Sequence, residues 1–120
     1  MKSNFLLYLL LIVALMNCTN REAESIIEGS WEGKFIQLEN DQSNHALPDG
    51  ITMEFEYPRY KFEGELVEQG NYYIKDEKLH LIPDDRDEKR ELNIRQLSQD
   101  SLRLHLIDTL GQREVLFIRQ

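Results

Sequence analysis

From Gly29 onward, apolar and polar residues alternate with period two, the pattern of half-buried strands. Eight such runs can be marked. The first is Ser30–Leu38, with Trp31, Gly33 and Phe35 on one parity and Glu32 and Lys34 on the other. The second, Ile51–Tyr57, puts Ile51, Met53, Phe55 and Tyr57 on the apolar parity; the third, Arg59–Val67, puts Tyr60, Phe62, Gly64 and Leu66 there. Gly70–Lys75 follows with Tyr72 and Ile74, then Lys78–Ile82 with Leu79 and Leu81. The last three are Arg90–Leu97 (Leu92, Ile94), Ser101–Ile107 (Leu102, Leu104, Leu106) and Arg113–Gln120 (Val115, Phe117). Pro48, Pro58 and Pro83 fall in the connections, where no ladder N–H is lost. The acidic stretch before the sixth run, Asp84 to Arg90, is also compatible with a charged helix capped by Asp.

Short links between the runs predict an antiparallel meander, apolar on one face and charged on the other. Left flat, it would expose the apolar face and two unpaired edges. Closure removes both problems. The expected fold class is therefore all-β: an eight-stranded antiparallel up-and-down barrel over residues 29–120. Eight strands leave room for packed side chains or for one small ligand.

The beginning of the chain has a different character. Lys2 precedes an unbroken apolar run, Phe5 to Met16, twelve residues long. That is too short to span a bilayer, which takes about 20 residues, and it has the length of a signal-peptide core. The run ends in Leu15-Met16-Asn17-Cys18, which resembles the lipobox of bacterial lipoproteins, with Met16 and Asn17 where small residues are usual. The resemblance implies a cleaved signal over 1–17, a lipidated Cys18, and a polar tether over 18–28. Cys18 is the only cysteine, so it has no disulfide partner within the chain. Thr19 stands where an inner-membrane lipoprotein commonly has Asp, so the resemblance favours a lipid anchor in the outer membrane of the cell envelope.

Charge narrows the partners. With 14 Lys and Arg against 22 Asp and Glu, the net charge is −8, which argues against nucleic acid and against anionic lipid surfaces. A single cysteine also excludes a Cys-based zinc site.

Gly29-Ser30-Trp31 opens the first strand, and Arg119 near the end of the last lies on the parity of Val115 and Phe117. Counting strand directions puts Trp31 and Arg119 at the same end, where the links Tyr57-Pro58-Arg59, Asp76-Glu77 and Ser98-Gln99-Asp100 are tight. The opposite end carries longer links, including Glu39 to Gly50. In these features the chain resembles lipocalins. There a Gly-x-Trp at the start of strand one packs under an Arg from the last strand, and a loop lids the mouth. It also resembles the small lipocalin-like domains of bacterial lipoproteins, through GSWEGKF, GNYYIKDEKLHL, LNIRQLSQDSLRL and the terminal FIR. The resemblance implies a closed-end signature of Gly29, Trp31 and Arg119 and a lid over residues 39–50. Typical lipocalins carry a further helix after the barrel; this sequence stops at its last strand, so a modest cavity is expected.

Inner parity at the mouth selects Gln37, Ile51, Met53, Leu66, Tyr72, Leu81, Arg90, Leu106 and Arg113 as candidate ligand contacts, with Phe55 below them. Arg90 and Arg113 flank Asp108, so they either receive an anionic head group or form a rim salt bridge with Asp108. The aromatics Trp31, Phe35, Phe55, Tyr57, Phe62, Tyr72 and Phe117 are pocket lining or core, and the short chain favours core. His80 and His105 face outward on separate strands and His45 lies in a loop, so no metal site is expected. Asp84 to Glu88 lacks the spacing of a calcium loop. No nucleophile has an adjacent base and orienting group, so the expected protein is not an enzyme and needs no cofactor. Two readings remain: a monomeric, membrane-tethered barrel that binds a small apolar or amphiphilic ligand, and a filled barrel that serves as a protein-binding accessory or inhibitor.

Overall fold

The alternation at Gly29 does begin a strand, and its partners close a ring. In the computed structural model, which describes residues 20–38, 41–108 and 111–120 (for 41, 42 and 108 the backbone alone), a short helix precedes nine strands. Helix α1 is Arg21–Ile27; the strands are β1 (Gly29–Leu38), β2 (Asp41–Ala46), β3 (Thr52–Glu56), β4 (Arg59–Glu63), β5 (Val67–Lys75), β6 (Lys78–Pro83), β7 (Arg90–Leu97), β8 (Ser101–Asp108) and β9 (Gly111–Arg119). Neighbours pair antiparallel in the order β1-β3-β4-β5-β6-β7-β8-β9, and β1 pairs again with β9. That is a closed eight-stranded meander, as the pattern predicted.

The ninth strand was not expected. Its residues, Asp41–Ala46, lie in the link expected to form a lid, and they instead pair with β1 through Phe35–Ala46 and Ile36–His45. The reason is the length of β1. Its first residues, Gly29 to Glu32, already pair β3, while its outer half extends past the start of β3 and leaves that edge open. An open edge is satisfied by the next stretch of chain. The link therefore runs back along β1, and the Leu47 amide closes it onto the Lys34 carbonyl at 2.9 Å.

A bulge in β1 has consequences for the inner face. Gly33 pairs Phe117, but Phe35 pairs Leu116, so one extra residue is accommodated between them. An inserted residue reverses parity beyond it. Phe35 is thereby turned outward and is 40% exposed, and Gln37 follows it. A similar shift lies between Ile94 and Gln96 in β7 and brings Leu97 opposite Leu102.

The segment expected as a tether is instead folded from residue 20. Asn20 caps α1, its side chain accepting from the Ala23 amide at 3.1 Å. The Asn20 amide donates to the Ile74 carbonyl of β5 at 2.8 Å. The apolar Ile27 is fully buried beneath the barrel, because β-strands alone cannot seal the tapering end. The interior above it is filled by Trp31, Phe55, Tyr60, Tyr72, Ile74, Leu79 and Leu102. The stretch 84–89 is a connection with no helix.

The hairpin between β5 and β6 turns on Asp76 and Glu77, at φ 55° and 60°. Both residues occupy left-handed backbone, which suits a two-residue hairpin and which only glycine adopts without strain. Glu77→Gly is therefore expected to raise the unfolding free energy by about 0.5–1 kcal/mol in urea titrations; a loss of stability would contradict the turn geometry.

Candidate functional site

The two ends of the barrel do different things. At the end reached first by β1, the Trp31 ring is wholly buried, and its Nε1 donates to the Ile27 carbonyl at 2.7 Å. The Arg119 guanidinium carbon lies 4.2 Å from the centroid of that ring, a cation–π contact. The same guanidinium donates to the Glu28 carbonyl at 2.7 Å and also to the carbonyls of Ile26 and Gln99. A positive group thus satisfies the last carbonyls of α1, where the helix dipole favours it. Gly29 has φ 122°, and a Cβ there would sit 2.6 Å from Arg119 Nη1. Only glycine leaves that passage open. The expected trio of Gly29, Trp31 and Arg119 meets as one plug.

Behind the plug, two polar side chains are buried without hydrogen-bond partners among the described residues: the Glu24 carboxylate and the Tyr72 hydroxyl. The Tyr72 hydroxyl is held well above the usual tyrosine range, first by burial and then by the nearby Glu24.

The mouth half holds a cavity of about 240 Å³. Ile51 and Met53 line it from β3 and the residue before it, Phe62 from β4, Leu81 from β6, Leu92 from β7, Leu104 and Leu106 from β8, Val115 and Phe117 from β9, and Leu47 from the end of the β2–β3 link. Two charged residues complete the wall, Glu68 of β5 and Arg90 of β7. They are paired: Arg90 Nη2 lies 3.1 Å from Glu68 Oε1. The Tyr60 hydroxyl donates to Glu68 Oε2 at 3.0 Å. Burial, then this bond to a carboxylate, raises the Tyr60 hydroxyl above the usual tyrosine range.

Of the mouth residues chosen from the sequence, Ile51, Met53, Leu81, Arg90 and Leu106 line the cavity. Five others do not. Gln37 lies beyond the β1 bulge, opposite Glu114. Leu66 is in the turn between β4 and β5 and is 73% exposed, because β4 ends at Glu63 and Gly64 bonds back to the Leu66 carbonyl. Phe55 and Tyr72 meet edge to face at 5.0 Å in the core beneath the cavity. Arg113 is half-buried two residues beyond Val115, opposite Leu106. The side chain of Asp108 lies outside the described residues, and so does Cys18 with the whole of 1–17. Glu68 was missed because Val67 to Gln69 read as a link. Its place two residues before Gly70 and four before Tyr72 is the signal that puts it on the inner face.

The aromatics divide between roles. Trp31, Phe55 and Tyr72 are core, Phe62 and Phe117 line the cavity, and Phe35 and Tyr57 are exposed. His80 is on the outer face but is buried there, stacked on Tyr73 at 4.4 Å. Among the described residues no three His, Cys, Asp or Glu gather as a metal site, and no helix is long and apolar enough to cross a membrane.

No protein-family model matches the chain, and no curated protein matches it. Solved structures do. A lipocalin-like protein from Bacteroides uniformis superposes with a TM-score of 0.62 at 17% identity, over 79% of this chain and 99% of that one. The fold is lipocalin-like. An uncharacterized protein from Bacteroides eggerthii shares it, with a TM-score of 0.62 at 13% identity, over 78% of this chain and 99% of that one. Those lengths match the barrel itself. The lipocalin-like barrel here thus pairs a plugged end with a small apolar chamber at the other.

Proposed function

We propose that this lipocalin-like barrel is a binding protein without chemistry of its own, and that it holds a small apolar or amphiphilic molecule in the mouth cavity. The observation that carries the reading is the apolar chamber of about 240 Å³ above a fully packed core. Its volume is just under the ~300 Å³ lower end of ordinary small-molecule pockets, so the ligand is small or projects from the mouth. The chain works as a monomer, anchored in the cell envelope through a lipid on Cys18, at the outer membrane.

Native mass spectrometry of residues 19–120, expressed in a bacterium and purified without detergent, tests the binding. We expect a bound species that leaves on organic extraction, and saturable uptake of the uncharged dye N-phenyl-1-naphthylamine. Ile51→Trp, which fills the chamber from its rim, is expected to weaken dye uptake at least about tenfold while the fold is kept. Equal uptake by that variant would remove the cavity as the site. The anchor is tested separately: Cys18→Ser in the full chain abolishes incorporation of labelled palmitate.

A rival reading, a protein-docking barrel, draws on Leu66, Val67 and Ile107, which are 73%, 62% and 63% exposed at the mouth. Leu66→Lys with Val67→Lys separates the two, because neither residue lines the cavity. Dye uptake survives the pair under the first reading, and a copurifying protein is lost under the second.

A further inference from the structure

Within a chamber otherwise lined by Leu, Ile, Met, Val and Phe, the two charged residues hold each other. Arg90 Nη2 is 3.1 Å from Glu68 Oε1, and Arg90 Nη1 donates to Glu68 Oε2 at 3.4 Å. The Tyr60 hydroxyl takes a further lone pair of Oε2 at 3.0 Å. The Glu68 side chain is 12% exposed and that of Arg90 is 46% exposed. The carboxylate is therefore built into the wall, and the guanidinium reaches from the wall into the mouth.

A lone Arg in such a chamber would select an anion, and a lone Glu a cation. The pair has no net charge. A guanidinium has five N–H donors, and two of them serve Glu68, leaving donors for an incoming acceptor. A carboxylate offers about four lone-pair sites, of which three are taken, leaving one for an incoming N–H or O–H. We propose that Glu68 and Arg90 together read the polar head of the ligand, and that this head is uncharged and carries both a donor and an acceptor, as a carboxamide does. This rests on the cavity being the ligand site. A carboxylate head gains Arg90 but is pressed against Glu68 in a poorly solvated wall; an ammonium head has the reverse difficulty.

The test uses three ligands with one eight-carbon tail: octanamide, octanoate and octylammonium, each displacing N-phenyl-1-naphthylamine at neutral pH. For the unaltered chain, octanamide is expected to bind at least about tenfold tighter than either ion. Glu68→Gln keeps the shape and an acceptor for Tyr60 but uncovers the guanidinium, so octanoate gains about tenfold and overtakes octylammonium by a wide margin. Arg90→Gln, at a half-exposed position, shifts the preference toward octylammonium. Octanoate binding best to the unaltered chain, or an unchanged order of preference in both variants, overturns the proposal. The dye itself tells the two failures apart. If it binds and the head groups are not distinguished, only the head-group assignment falls; if it does not bind, the cavity reading falls and takes the assignment with it.

Discussion

Replacing Trp31 with alanine is expected to lower the unfolding free energy by about 3–5 kcal/mol, the range for deleting a fully buried large aromatic. The position leaves little room for collapse. The ring is buried between Ile27 below and the core above, with Arg119 over its face. Truncation removes the ring's packing and its hydrogen bond to the Ile27 carbonyl, and it leaves a hole at the narrow end. Circular dichroism in urea should follow the loss, since Trp31 is the only tryptophan and its fluorescence disappears with it. Trp31→Phe should recover most of the packing but not the hydrogen bond. A cost under about 1 kcal/mol for the alanine variant would mean that the end is not sealed by this ring.

The second large effect is expected at the other half of the plug. Arg119→Met keeps the aliphatic stem but strands the carbonyls of Ile26, Glu28 and Gln99 and removes the cation from the indole face. Bonds from a charged donor contribute about 1.5–3 kcal/mol each where water cannot replace them, and these carbonyls are partly wet, so a total near 2–3 kcal/mol is expected. Arg119→Lys should rescue little, because an ammonium is a point charge and cannot span three acceptors and a ring face. The Trp31→Ala, Arg119→Met double variant should cost at least about 0.5 kcal/mol less than the two separate losses combined, since the cation–π contact that the two side chains share can be lost only once. Strict additivity would show that the two act independently.

Much of this architecture was legible in the alternation alone. The inner positions Met53 and Phe55 of β3, Tyr60 of β4, Tyr72 and Ile74 of β5, and Leu79 and Leu81 of β6 all follow from the period of two, since each strand buries one face, whereas Tyr57, on the same parity, falls in the turn and is exposed. The plug was legible for a different reason: Gly29, Trp31 and Arg119 sit at fixed distances from strand ends, and strand direction then brings them together. What failed to show was whatever breaks the period. The bulge in β1 reverses parity at Phe35 and carries Gln37 away from the cavity, and no residue type at Lys34 announces it. Strand β2 has no apolar alternation because its ladder, not a buried face, is what it supplies. Helix α1 is only seven residues long and reads as polar, yet it buries Ile27 and, with it, the charged Glu24. Glu68 was hidden by its own charge: a carboxylate on the inner parity reads as the end of a strand unless its cationic partner, twenty-two residues later, is known to lie two strands along the ring.

The hydrogen bond from the Asn20 amide to the Ile74 carbonyl fixes which end of the barrel the start of the described chain lies against. It holds residue 20 beside the plug, at the base of the cup. Cys18 stands two residues earlier, and two residues span at most about 7 Å. A cup gripped at that point would open away from whatever gripped it. Under the anchor proposed above, molecules would reach the chamber from the aqueous side, and an affinity tag joined at residue 20 is expected to leave the opening clear.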